Sequence, residues 1–472
     1  MPQYFFDTLI DRNGTDALKV DALAPRWGRT DLLPLWVADM DFATPDFILE
    51  ALRERLAHPI LGYTAEPADY RPAIVDWIAE HHGWTIAPEW ISFVPGVVKG
   101  IAFVLDAFTQ PGDKILIQPP VYHMFRLTIE GAGRTVIDNP LRLRDDGQYE
   151  MDFDQLAAVA DGCKVLVLCN PHNPGGRCWD RATLVRLAEF CAARDILVVS
   201  DEIHADMALF GARHCPFAEV AECAAANSIT FGAPTKTFNL AGVVSSYAIV
   251  PDAGLRRRFF DWLRARELNE PTVFAPIATI AAFRRGETWR REMLAYVEDN
   301  IRFVEAYCRD HLPAVRPVRP EASFLVWLDC RRLGLNREQL LDLFVDKAHL
   351  GLTTAKCSAR AARASCGSMS VRPAPCWNRR CGNWPKPSHN FDGRLPLQGP
   401  VAPRHRKVVR GRWCFAPLPV RVSAANGSFF SAEDGRRDFF ARSTQIIAVL
   451  FGLCCKPSYI CCVKRMIRDN SE

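Results

Sequence analysis

A lysine in a loop of small residues, just after an apolar strand, is placed to condense with an aldehyde. Lys236, in GAPTKTFNLAG, fits that description. The plain alternative for a lone lysine is a solvated surface amine. Asp201 closes the apolar run DILVVSD. A carboxylate there either caps a following helix or, partly buried, keeps a proton on a ring nitrogen. Asn170 lies in LVLCNPHNPGGR, where Asn-Pro and Gly-Gly also mark turns; its amide can donate to a phenolic oxygen. Tyr122, in QPPVYHMF, is either core or a face on which a planar ring stacks. Pro95-Gly96-Val97-Val98 reads as a turn into a helix whose free N–H groups suit a phosphate. An aldehyde, a ring nitrogen, a phenolic oxygen and a phosphate together describe pyridoxal phosphate, with Lys236 as its carrier.

The elements that must position these groups are legible in the apolar pattern. WISFVPG, DKILIQPP, KVLVLCNP, DILVVSDE and NSITFGAP each read as a buried parallel strand ending in Gly, Pro or a polar residue. Amphipathic stretches such as Arg181 to Arg194 separate them, so the chain reads as an α/β sheet with helices on both faces. In such sheets ligands bind beyond the carboxyl ends of the strands. Every candidate falls at one of those ends. Asn170, Asp201 and Lys236 follow one another at roughly 30–35 residues, about one strand–helix–strand unit each. Pro45 to His58 and Pro72 to His81 read as helices. From Gly286 the pattern changes to a long helix near Trp289 to Leu312, a strand over Phe324 to Asp329 and a helix from Arg337 to Lys347. The expected organisation is an N-terminal segment (1–45) packing with a smaller α+β domain, a large cofactor-binding domain (46–285), that smaller domain left incomplete (286–352), and a basic tail (353–472).

Composition supports a globular body. The chain has 472 residues, 49% of them hydrophobic and 24% charged, ample for two cores. Its net charge of +4 hides a split: from Thr353 on there are 21 Lys and Arg against 6 Asp and Glu. Cysteine divides at the same point, with 8 in the body and 9 in the shorter tail. Neither part carries paired C-x-x-C units, and the tail's Cys454-Cys455 and Cys461-Cys462 lack a His or acid at ligand spacing, so no metal is expected. The N-terminus has no basic stretch leading into an apolar run, and TQIIAVLFGLCC is too short to span a bilayer, so a cytoplasmic protein without a membrane partner is expected. The basic tail lacks interleaved aromatics or a recognisable module, which argues against a nucleic-acid partner.

The motifs together resemble fold-type I pyridoxal-phosphate enzymes of the class I/II aminotransferase superfamily. FDTLIDRNGTDALKVD, LPLWVADMDFATP, ILGYT, PGVVKG, PPVYHMF, NPHNPGGR, SDEIHADM and PTKTFNLAG are similar to the cystathionine β-lyase (MalY/PatB-type) branch. The likeness runs from Phe5 to about Leu352. It implies that Lys236 bonds to the cofactor aldehyde, Asp201 holds the ring nitrogen, Asn170 the phenolic oxygen, and Tyr122 stacks on the ring. Val97, Val98, Thr235 and His204 would complete the cofactor site, with Trp36, Ala38 and Asp39 on the substrate side. Tyr63 would reach the phosphate of a neighbouring subunit, making the working form a homodimer. The implied reaction is β-elimination from a sulfur amino acid, giving a thiol, pyruvate and ammonia. Transamination on the same scaffold is the alternative, and a non-catalytic truncated product is a third reading.

The resemblance stops after Gly351-Leu352. The family continues with a turn, a strand carrying an arginine for the substrate carboxylate, and a closing helix. This chain continues with TTAKCSARAARASCG. When the third base of each codon is read with the first two of the next, the codons from Thr353 permit DGEMFGPGGEGFMRLNVG and then an amphipathic helix. Trp377-Asn378 forces Glu in that frame and Trp384-Pro385 forces Ala. A frameshift near Thr353 is therefore expected, with the carboxylate-binding arginine hidden across Cys366 and Gly367. Losing that ending should uncover Phe324, Val326 and Trp327 and impair activity.

Overall fold

A computed structural model describes residues 3–352; the tail, and with it the frameshift reading and the hidden arginine, lies outside the described residues. The expected apolar runs form strands of one seven-stranded sheet. They are β1 (Ile91–Val94), β2 (Lys114–Ile117), β4 (Cys163–Cys169), β5 (Leu197–Asp201) and β6 (Ser228–Gly232), joined by β3 (Thr135–Asp138) and β7 (Ser246–Ile249). The order across the sheet is β1-β7-β6-β5-β4-β2-β3. Strands β2 to β6 pair in parallel. Strand β7, which the sequence pattern did not single out, is antiparallel to both β1 and β6. So β1 joins the sheet only through an antiparallel neighbour, not through the parallel one expected.

Strand side chains alternate between two cores, because successive residues point to opposite faces. Val165, Val167, Leu197 and Val199 face one core with Ile229 and Phe231. Leu166, Leu168 and Val198 face the other with Leu184, Leu187 and Ala188. A sheet covered on both faces needs continuous apolar strands, and that is why these runs do not alternate with polar residues.

The helices expected from periodicity are present as α1 (Asp46–Ala57), α2 (Tyr70–His82), α4 (Arg181–Ala192) and α5 (Glu287–His311). Asp180 caps α4 by accepting from the Thr183 amide at 2.8 Å. The helix placed to bind phosphate is α3 (Val97–Phe108), which enters through Gly96 at φ +113°. It lies close to the sheet: a Cβ on Gly100 would stand 2.5 Å from the Phe231 ring.

Beyond α5 the polypeptide departs from expectation in detail. Only Trp327–Asp329 of the FLVWLD run is strand, paired antiparallel with Arg316–Val318. Ser323, at φ +76°, turns the chain just before it. Arg337–Leu341 is α-helix and Asp342–Lys347 continues as a π-turn. Leu33–Pro34 pairs in parallel with Leu350–Gly351. Phe324, Val326 and Trp327 are not left uncovered. They are 4%, 1% and 3% exposed. Phe324 and Val326 share a core with Val304 and Cys308 of α5, and Trp327 packs edge-on against Tyr149.

Candidate active site

The carboxyl ends of the parallel strands open into a cavity of about 490 Å³. Lys236, Asp201, Tyr122, His204, Thr235, Val97, Val98, Trp36 and Ala38 all line it. Residues from five separate stretches therefore converge, as the strand-end geometry required.

Lys236 follows β6, and its Nζ donates to the Ala38 carbonyl at 2.6 Å. Burial pushes its amine below the ordinary value, against the pull of Asp39 and Asp201. Asp201 ends β5 and is 5% exposed. It accepts from the Ile203 amide at 3.1 Å. Burial raises its carboxyl to about 7, with Glu202 adding to the rise and the Ile203 N–H and Lys236 opposing it. A cation beside that carboxylate would reverse the effect of burial. Tyr122 precedes the helix His123–Gly131, and burial lifts its phenol to about 12. His204 is 2% exposed, and neither ring nitrogen finds a hydrogen-bond partner among the described residues. Burial, with Lys236 assisting, holds it neutral by lowering its pKa to about 3.

Helix α3 presents its first turn to the same cavity. The Val97 and Val98 amides lie at its N-terminus, where backbone N–H groups have no partner within the helix and the helix dipole favours an anion. Lys99 on that turn also lines the cavity.

Three expected residues lie elsewhere. Asn170 is fully buried but does not line the cavity. Its amide nitrogen donates to the Cys215 carbonyl at 2.8 Å and more weakly to Glu202 at 3.4 Å. Its backbone N–H still bonds to Asp201, continuing the ladder of the sheet. Asn173, the second asparagine of the same motif, lines the cavity instead. The carboxylate of Asp39 is held outside by Arg12 at 2.7 Å and faces Lys19 at 3.5 Å. It acts on Lys236 through charge, not as a wall. Tyr63 is fully exposed on this chain and lies outside the cavity.

Residues that the motifs did not mark include Cys169, Leu325 and Arg26. Cys169 ends β4, so its place at a strand tip was available as a signal. Arg26 and Leu325 had none, since each is brought in by segments remote from the strand ends. Among the described residues no group of three or more His, Cys, Asp or Glu is placed to hold a metal ion.

The site's chemistry suits pyridoxal phosphate. A buried amine, a buried carboxyl that a cation would satisfy, an aromatic face and a helix N-terminus share one cavity. The comparisons agree. Residues 30–368 match the family described as aminotransferase class I and II, and the chain belongs to that family. Over 344 residues it is 42% identical to the cystathionine β-lyase PatB of Bacillus subtilis, covering 72% of this chain and 89% of that protein. It is 32% identical to the protein MalY of Escherichia coli over 351 residues, 74% of this chain and 89% of the relative. The fold matches the crystal structure of the PLP-bound C–S lyase from Staphylococcus hominis, with a TM-score of 0.69 and 30% identity over 78% of this chain and 92% of the other.

Proposed function

We propose that this chain is a pyridoxal-phosphate-dependent carbon–sulfur β-lyase, cleaving cystathionine or a related cysteine S-conjugate to a thiol, pyruvate and ammonia. The observation that carries the reading is the placement of Lys236 Nζ, Asp201 and the first turn of α3 around one cavity. Similarity to proteins named as cystathionine β-lyases supports elimination as the reaction. Bound pyridoxal phosphate supplies an electron sink for charge that develops at the substrate α-carbon.

The residues of the chain do the rest. Val97 and Val98 offer backbone N–H groups to the phosphate. Asp201 keeps a proton on the ring nitrogen, and Asn173 takes the role toward the phenolic oxygen first assigned to Asn170. Tyr122 covers a ring face. Lys236 would hold the cofactor through Nζ and would also be the group that takes the α-proton; burial lowers its amine below the ordinary value, which favours the uncharged form a base needs. Tyr63, exposed on its own chain, serves a neighbouring subunit, so the working form is a homodimer. No described helix is long and apolar enough to cross a membrane. The eight cysteines of the described body are unpaired, which suits a reducing cytoplasm.

Cofactor-loaded protein should show an absorbance band near roughly 420 nm, lost in Lys236→Ala. It should release pyruvate from L-cystathionine without any keto-acid acceptor. A band that survives in Lys236→Ala removes the cofactor assignment. Pyruvate release that requires a keto acid moves the reading to transamination.

A further inference from the structure

Strand β5 runs out on two adjacent acids that turn opposite ways, as successive strand residues do. Asp201 faces the cofactor cavity. Glu202 faces a second, small cavity of about 20 Å³, together with His82, Asp206, Thr230 and Tyr247. It is only 5% exposed, and a buried acid must be met by hydrogen bonds or by an opposite charge. The bonds are there. Its Oε1 accepts from the Ser200 hydroxyl at 2.8 Å, from the Phe217 amide at 2.9 Å and, more weakly, from the Asn170 side chain at 3.4 Å. Its Oε2 meets His214 Nε2 at 2.7 Å.

The opposite charge is not. His214 Nδ1 is buried without a hydrogen-bond partner among the described residues. A hydrogen on that atom would be buried unmet, so the ring carries its hydrogen on Nε2 and donates it to Glu202. A neutral ring satisfies the carboxylate without neutralising it. Asp206, on the same small cavity, is held differently, by His82 at 2.8 Å and the Trp77 indole at 2.9 Å. Behind burial and nearer neighbours, the field of Glu202 adds to the upward shifts of Asp201, Cys215 and Tyr247. A fixed negative charge behind Asp201 also favours any cation that forms in front of it.

We propose that Glu202 is a positioning residue for the cofactor: a hydrogen-bonded carboxylate set behind Asp201, whose uncancelled charge holds the bound ring and the Lys236 nitrogen in their protonated forms. The inference rests on the cofactor reading for what the charge serves, and its first measurement needs no cofactor.

Cofactor-free full-length protein with carbon-13 carboxyl labels is titrated by NMR, the Asp201 signal being identified by its loss in Asp201→Asn. Glu202→Gln keeps the shape of the side chain and removes its charge. The Asp201 midpoint should then fall by at least about half a pH unit, roughly threefold in proton affinity. Glu202→Asp keeps the charge and should retain most of the wild-type midpoint. Ser200→Ala removes a donor and keeps the charge, so it should leave the midpoint in place. In cofactor-loaded protein, the pH at which the band near roughly 420 nm gives way should fall in Glu202→Gln and hold in Ser200→Ala. An Asp201 midpoint unchanged in Glu202→Gln overturns the inference. So does a Ser200→Ala shift as large as that of Glu202→Gln, because disturbed packing would then account for both. If Glu202→Gln does not fold, the Glu202 signal of wild type decides, identified by its loss in Glu202→Asp: ionised near neutral pH supports the inference and protonated overturns it. A band that forms with an unmoved midpoint overturns the inference and leaves the cofactor reading intact. If Asp201 responds but no Lys236-dependent band forms, the cofactor reading fails and the charge behind Asp201 stands.

Discussion

Asp201 is a carboxyl whose burial works against its own ionisation. In the cofactor-free protein its pKa rises from an ordinary 3.8 to about 7. At pH below about 4 it is protonated in both folded and unfolded chains, and its contribution to stability is complete. Between about 4 and 7 the unfolded chain ionises first, so that contribution is lost as pH rises through the folded value. Asparagine does not titrate. Thermal melts of cofactor-free Asp201→Asn should therefore gain on wild type as pH goes from 4 to 7, by on the order of 3 kcal/mol, and level off above. A stability difference that stays flat across that range refutes the burial argument. At this scale the sequence was legible wherever a residue ended a strand, as Asp201 does. It did not separate Asn170 from Asn173. The choice depends on where the chain leaves the ladder: Asn170 still bonds to Asp201 through its backbone, and its side chain is drawn under the sheet to Cys215. Three residues later the chain has turned into the cavity.

Among the elements, the N-terminal segment does more for the site than its irregular shape suggests. Lys19 is only 1% exposed. It donates to the Asp39 carbonyl at 3.0 Å and to the Asp41 carboxylate at 3.3 Å, and so clamps the loop whose Ala38 carbonyl receives Lys236. Removing one partner from a buried ion pair leaves the other charge uncompensated, at about 3–5 kcal/mol. Here Arg12 still bonds both Asp39 and Asp41, so Lys19→Met should cost roughly 2–3 kcal/mol. Urea unfolding measures it, and a loss under about 0.5 kcal/mol, the size of an ordinary surface change, rules the clamp out. The apolar runs announced the parallel strands because burial on both faces demands them. Strand β7 was silent, since SYAI is only four residues long. The clamp was silent too: a lysine at position 19 looks solvated until the fold brings Asp39 and Asp41 around it.

For the molecule as a whole, five strands of the sheet and the strand ends that open on the cavity were readable from the apolar pattern, while β3, β7 and the surface were not. Burial leaves a band of large apolar side chains outside. Leu56, Ile60 and Leu61 are 53%, 66% and 56% exposed, Tyr63 is fully so, and Phe5 is 82% exposed. Leu56 to Tyr63 follow one another from the last turn of α1 into the loop beyond it. Scattered apolar residues on a surface need no explanation, but a run of them marks a surface that another molecule covers. The proposed homodimer, with Tyr63 serving the neighbouring cofactor site, supplies that cover. Cofactor-loaded protein should then sediment at about twice the 53.0 kDa mass of one chain. Leu61→Asp places a charge in the middle of the run, where desolvation opposes association; it should shift the protein toward monomer and weaken cofactor binding in parallel, because a lone chain lacks its neighbour's Tyr63. Monomeric wild-type protein that binds cofactor as tightly as any larger species would take both the dimer and the Tyr63 assignment away.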